Sequence, residues 1–309
     1  MSGRRLIGVQ VALLAAAAAA AAFVTIAAPG PPPPRPWFSA ATLGAQPTGA
    51  VILHREDRDL ALALAVRRER GRLGIVLTAL GQTGAGSDGL RISVRAGAGP
   101  EVGARACGSG CYAAMLRALR APARVTVLIG RRGRTDRLRF ALPTPWPAPA
   151  LAVVHATETV YRGLHSLVTH ERLGSDLTHV VYTTYEMVAP HRLSFQVHGG
   201  EDAIVIGTSR WDRQPGQGWE RSSTPALSPL APYWTEPVED PRLLGHALVR
   251  GHRCDVVSFA DPQVPAYFTI WVDERTHRTL QLTMTAAAHF MFHRYGPFNA
   301  PIAIRPPTG

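Results

Sequence analysis

The chain has 309 residues, 33 of them Lys or Arg and 22 Asp or Glu, for a net charge of +11. With 46% apolar and 18% charged residues it is too apolar for a disordered chain, and with three cysteines it is neither a disulfide-dense mini-protein nor a four-cysteine zinc protein. Only one stretch is long and apolar enough to cross a bilayer, which excludes a multi-span transporter.

Arg4 and Arg5 precede an uncharged run from Leu6 to Ala28. As a helix, this run would be about 34 Å long, enough to span with some tilt. Basic residues before the span keep the N-terminus cytoplasmic and place the rest outside. Residues 1–28 therefore read as a signal-anchor or a signal peptide, and the location as the cell membrane, single-pass, with the bulk of the chain extracytoplasmic. Residues 29–39 form a linker whose four prolines, Pro31 to Pro34, favour a stiff polyproline II spacer. A second proline cluster at 144–149 separates two domains, 40–143 and 150–309. The positive charge belongs to the first. Residues 28–145 hold 18 Arg against 7 acidic residues, whereas residues 146–309 hold 13 against 15. Outside the cell such a basic half points to an anionic membrane surface and away from nucleic acid.

In the first domain short apolar runs alternate with turns. Leu60-Ala61-Leu62-Ala63-Leu64-Ala65-Val66 alternates large and small residues, a half-buried strand pattern. Seven such strands in about 100 residues predict an all-β immunoglobulin-like sandwich. Gly84 to Gly89 matches G-x-G-x-x-G but opens no helix, so it reads as a loop. Cys107 and Cys111 flank Gly-Ser-Gly and are placed to close a small disulfide loop outside the cell. A binuclear copper centre has the same cysteine spacing but needs a His and a Met where Met115 and Ala118 stand. Thr48 to Leu53, Leu60 to Val66, Cys107 to Tyr112 and Leu138 to Pro143 together resemble the small sandwich domains of CopC, YtkA or FixH type that accompany copper resistance. The His and Met clusters of those copper sites are missing here.

In the second domain, helical periodicity runs from Ala148 to Val168, with Leu151, Val154, Tyr161, Leu164 and Val168 on one stripe. Extended runs follow at 178–188, 193–197, 203–211, 243–249, 254–259, 267–272 and 280–292, with an irregular, Pro-rich stretch at 223–241. A helix followed by antiparallel strands is an α+β pattern. The order of features resembles the LolA family of lipoprotein carriers and its relatives of the LppX and LprG type. It includes Ala189-Pro190-His191-Arg192-Leu193, then Ala203 to Trp211, and a close on Phe298 to Pro306. That resemblance implies a LolA-like half-barrel, an antiparallel sheet with helices on its concave face around an apolar cavity. It also implies an acyl chain or a lipidated molecule as cargo, and no catalytic residues.

Period two over 280–292 places Leu282, Met284, Ala286, Ala288 and Phe290 on one apolar face. With Phe195 and Val197 they are the candidate cavity lining. The opposite face carries His289, Met291 and His293, suitable copper ligands. His170-Glu171-Arg172-Leu173-Gly174 begins like a zinc-protease motif but lacks its second His. No nucleophile triad or phosphate loop is present. Cys254 reads as a buried strand residue. The sequence thus predicts a non-enzymatic extracytoplasmic binding protein without a cofactor. The alternatives are a copper-homeostasis accessory protein or an envelope sensor or scaffold.

Overall fold

The computed structural model describes residues 47–81, 86–117, 123–131, 133–174, 179–234, 236–263, 266–286 and 289–308. No helix among them is long and apolar enough to cross a membrane, and the apolar segment 6–28 lies outside them. The described chain is mostly β, with one helix and open antiparallel sheets.

The first unit holds nine strands: β1 (Val51–Asp57), β2 (Leu60–Glu69), β3 (Arg72–Leu80), β4 (Arg91–Ala96), β5 (Glu101–Gly103), β6 (Arg105–Gly108), β7 (Cys111–Arg117), β8 (Arg124–Arg131) and β9 (Arg134–Ala141). They form two sheets, in the orders β1-β2-β3-β7-β6 and β5-β4-β8-β9. Leu62, Leu64, Ile75 and Leu77 of one sheet share a core with Val94, Val127, Ile129 and Phe140 of the other. Cys107 and Cys111 are disulfide-bonded across the β6–β7 turn, with Cα atoms 5.0 Å apart. Gly86, the second glycine of the G-x-G-x-x-G stretch, packs directly on this turn. A Cβ on Gly110 would lie 2.3 Å from the Ala79 carbonyl oxygen and 2.6 Å from Gly86 Cα. Asp88 fixes the contact by accepting the Gly110 N–H at 2.7 Å.

β2 is not half-buried, as its alternation predicts, but buried on both faces. Its leucines face the core just described, and its alanines face the second unit.

The second unit begins with α1 (Leu151–Arg162), shorter than its periodicity predicts. Gly163 ends it, and the chain turns at once into β10 (Ser166–Gly174). Ten more strands follow: β11 (Val180–Val188), β12 (Arg192–Val197), β13 (Asp202–Ile206), β14 (Ser209–Arg213), β15 (Glu220–Ser223), β16 (Glu239–Val249), β17 (His252–Asp261), β18 (Ala266–Asp273), β19 (Thr279–Ala286) and β20 (His289–Phe298). All join one sheet, ordered β15-β14-β13-β12-β11-β10-β20-β19-β18-β17-β16. Two stretches that read as single strands are each two paired strands, 203–211 turning at Gly207 and 280–292 dividing into β19 and β20, with Ala286 opposite His289. One sheet face, here the inner face, packs on α1 and on residues 224–238.

The opposite face of β17–β20 meets the first unit. Ala50, Ile52, Ala63 and Ala65 pack on Ala260 and Tyr267, and Ala61 and Leu80 on Phe290. Small alanines let the two sheets approach closely. Polar ties cross the seam. The Tyr267 hydroxyl donates to Thr78 Oγ1 at 3.3 Å, Arg172 pairs with Glu56 at 3.2 Å, and Asp240 accepts the Gly49 N–H at 3.0 Å. His54 lies at the centre, 2.7 Å from Thr285 Oγ1 and 2.8 Å from Thr269 Oγ1. Loss of water around it lowers its pKa to about 4.

Candidate functional site

The inner face is apolar over most of its width because alternate residues of each strand point the same way. Phe195 and Val197 of β12 join Leu282, Met284 and Ala286 of β19 in one cluster that runs from β13 to β17. Phe290 does not share this face. The antiparallel pairing of β19 with β20 resets the alternation, so Met284 pairs with Met291 and Leu282 with His293. Phe290 therefore points to the first unit, where it packs on Ala61 and Leu80. Met291 and His293 sit on the inner face instead of on a solvated copper-binding face. Ala288 and the His289 side chain lie outside the described residues.

The inner face is filled by its cover. α1 contributes Val154 and Tyr161, and the irregular stretch 224–238 contributes Leu227, Trp234 and Val238, all buried. The described residues of this strap form neither helix nor strand. Thr224 N–H bonds to Thr208, the Leu227 carbonyl meets His191 Nδ1 at 2.7 Å, and Gln263 donates to the Glu236 carbonyl at 3.0 Å. Pro225, Pro229, Pro232 and Pro237 have no N–H to give to a sheet ladder. Side chains hold the strap down. Trp234 packs edge-on against Phe259, Phe268 and Tyr161, with ring centroids 5.4, 6.1 and 6.1 Å away. Its indole N–H donates to Glu158 Oε1 at 3.0 Å, and His155 meets Glu236 at 3.0 Å.

Burial, and then the nearby Glu236 charge, raises Glu158 to about 7, against the Trp234 hydrogen bond that favours its charged form. A raised carboxyl pKa means that Glu158 stabilises the fold at low pH and ceases to do so as pH rises from 4.5 through about 7. Glu158→Gln keeps an acceptor for the indole and removes the charge. After allowance for its partial exposure, unfolding at pH 8 should show a gain of about 1 kcal/mol over wild type, with almost none at pH 5.

Beneath the strap lies a polar centre that sequence reasoning misses. Glu171 of β10 and His293 of β20 are cross-strand partners, 4% and 0% exposed, with His293 Nε2 3.0 Å from Glu171 Oε1. The approach is close enough for an ion pair but out of line for a hydrogen bond, and neither ring nitrogen has a hydrogen-bond partner. The Tyr185 hydroxyl donates to Glu171 Oε2 at 2.8 Å. The rings of Tyr233 and Tyr295 flank His293, with centroids 4.6 and 5.8 Å from its own. The hydroxyls of Tyr161, Tyr295 and Thr279 are buried within reach of one another, and the Thr169 hydroxyl is buried without a partner among the described residues. Burial lifts the hydroxyls of Tyr161, Tyr185, Tyr233 and Tyr295 above the ordinary phenol range, and the Glu171 charge adds to this at Tyr185 and Tyr233.

Other clusters are satisfied internally. His246 Nδ1 lies 3.1 Å from Asp255 and 2.8 Å from Glu274, a spacing a metal ion could use. Arg253 also meets that same Glu274 oxygen at 2.9 Å, so ion pairing accounts for the group. Cys254 is buried in β17, where loss of water pushes its thiol pKa up and away from reactivity. A groove of about 420 Å³ runs along the seam past His54, Arg55, Glu56 and Arg139. Another, of about 260 Å³, is lined by residues of β11–β13 together with Arg213 and Trp219.

No protein-family model matches the chain, and no match exists among curated proteins. Among solved structures it is similar to the lipoprotein LppX of Mycobacterium tuberculosis. That likeness has 14% identity and a TM-score of 0.41, and it covers 50% of this chain and 97% of that one. LprF from Mycobacterium bovis is similar at 13% identity and a TM-score of 0.40, over 52% of this chain and 100% of that one.

Proposed function

We propose that this chain is a non-enzymatic, extracytoplasmic binding protein that takes an acyl chain or another apolar ligand between the inner face and its strap. The observation that carries this reading is the cover itself. A broad apolar sheet face is closed by one helix and by a segment without backbone ladder bonds. Magnitudes favour exchange. Lifting Leu227, Trp234 and Val238 exposes three buried side chains, at roughly 1.5–3 kcal/mol each. An acyl chain of about fourteen methylenes offers roughly 11 kcal/mol at 0.8 kcal/mol per methylene, so it can displace the strap. The second unit is then a LolA-like half-barrel with the strap as its gate.

In this reading the first unit is immunoglobulin-like. Without β1, the order β2-β3-β7-β6 over β5-β4-β8-β9 corresponds to A-B-E-D over C′-C-F-G. Strand alternation assigns Arg91, Arg95, Arg124, Arg137 and Arg139 to the outer side of its second sheet. With segment 6–28 as anchor, this basic face lies against an anionic leaflet, at about 1 kcal/mol per Arg near the surface.

The test is titration of the purified chain with a neutral environment-sensitive dye, followed by competition with acyl ligands. Saturable uptake at one dye per chain, reversed by the acyl ligand, is the expected result. Dye emission that never saturates, or that acyl ligands leave unchanged, would sink the proposal.

A further inference from the structure

We propose that the polar centre formed by Glu171, His293, Tyr185, Tyr295 and Thr169 seats the uncharged, hydroxyl-bearing head of an amphiphile, with Tyr233 of the strap as the lid over it. The inference rests on the reading of the inner face as a ligand site and names the class of head that site accepts.

A face built only for alkyl chains has no use for this group. A buried polar atom without a partner costs about 1–3 kcal/mol, and native cores hold few of them. Here, among the described residues, His293 Nδ1 and the Thr169 hydroxyl are buried and unpartnered on one sheet face, His293 Nε2 meets only Glu171, and the Tyr161, Tyr295 and Thr279 hydroxyls meet only one another. They sit on adjacent strands. Thr169 pairs with Tyr295 and with Tyr185, and Glu171 with His293, so the register itself gathers them. The strap side chain packed against this group is Tyr233, whose ring lies 4.6 Å from that of His293 at a tilt of 45°. Lifting the strap therefore uncovers the Glu171–His293 pair first.

The donor and acceptor set selects the head. Glu171 is an acceptor, His293 offers ring nitrogens, and the Thr and Tyr hydroxyls both give and take. A vicinal diol does the same. One hydroxyl donates to Glu171 while the other accepts from Tyr295 or Thr169. A carboxylate head has no hydrogen to donate to Glu171 and would bring a charge into a water-poor site, where its desolvation is costly.

The test compares two ligands of equal chain length on the full chain, monododecanoyl glycerol and dodecanoate. The glycerol ester should bind about tenfold or more tightly than the acid. Thr169→Val removes an unpartnered hydroxyl with little change of shape. It should raise Tm by about 1–3 °C and weaken the glycerol ester about threefold or more, leaving dodecanoate unchanged. Glu171→Gln should narrow the ratio in the same direction, and Thr169→Val decides the matter if that variant fails to fold. Equal or tighter binding of dodecanoate, or a ratio that Thr169→Val leaves intact, would overturn the head assignment while acyl binding stands. Binding of neither ligand would remove the parent reading and this one with it.

Discussion

Trp234→Ala is expected to destabilise the second unit by about 3–5 kcal/mol, the range for deleting a buried Trp. Trp234 is 3% exposed and touches Tyr161 of the helix together with Phe259 and Phe268 of two adjacent strands. It therefore joins strap, helix and sheet at one point. Its loss also strips Glu158 of the indole N–H that favours its charge. Hydrogen exchange should locate the effect. Amides of 224–238 and of α1 should lose protection, while those of β2 and β3 in the first unit should keep theirs. Trp234→Phe restores ring packing but not the hydrogen bond and should recover most of the loss. A change below about 1 kcal/mol for the alanine variant would mean that the strap adds little to the fold.

Acidification should weaken the seam between the units, and His54 sets the window. Its folded pKa of about 4 lies below the ordinary 6.5, so the separated or unfolded state takes up the proton first. Stability is complete above pH 6.5 and falls as pH drops toward 4, by about 2–3 kcal/mol in all. The ring faces Thr269, Thr283 and Thr285 of the second unit, with Arg55, Glu56 and Arg139 lining the adjoining groove. Among the described residues no carboxylate hydrogen-bonds the ring to hold a proton on it. Glu158 works in the opposite sense, so the measurement is a difference. Urea unfolding at pH 7.0, 5.5 and 4.5 should show a steeper loss for wild type than for His54→Gln. Parallel slopes for the two proteins would remove His54 as the cause.

Where one face of a strand is buried, the sequence reading follows the structure closely. β12 is legible from the alternation of Leu193, Phe195 and Val197. Errors occur where a face changes within a run. Leu280 to Phe292 keeps an apolar residue at every even position and has no Gly, Pro, Asn or Asp at 287–288, so it reads as one strand. The pairing of β19 with β20 sends Phe290 to the seam and brings His293 inward. β2 looks half-buried because alanine is small, not because that face meets water. α1 reads too long because Leu164 and Val168 continue the helical stripe, although Gly163 ends the helix and β10 begins at Ser166. That extension hides the alternation of Leu167, Thr169, Glu171 and Leu173, which carries Glu171 to the inner face. A charged residue in the middle of a core-facing strand is the signal that would have located the polar centre. Its partner 122 residues later in the chain is visible only in the register of β10 with β20.

Native mass spectrometry of the protein purified from a cell that exports it tests the central claim most directly. The account predicts one lipid-mass adduct per chain, lost on denaturation and exchangeable for monododecanoyl glycerol. A bare polypeptide mass, unchanged after incubation with acyl lipids, would contradict it.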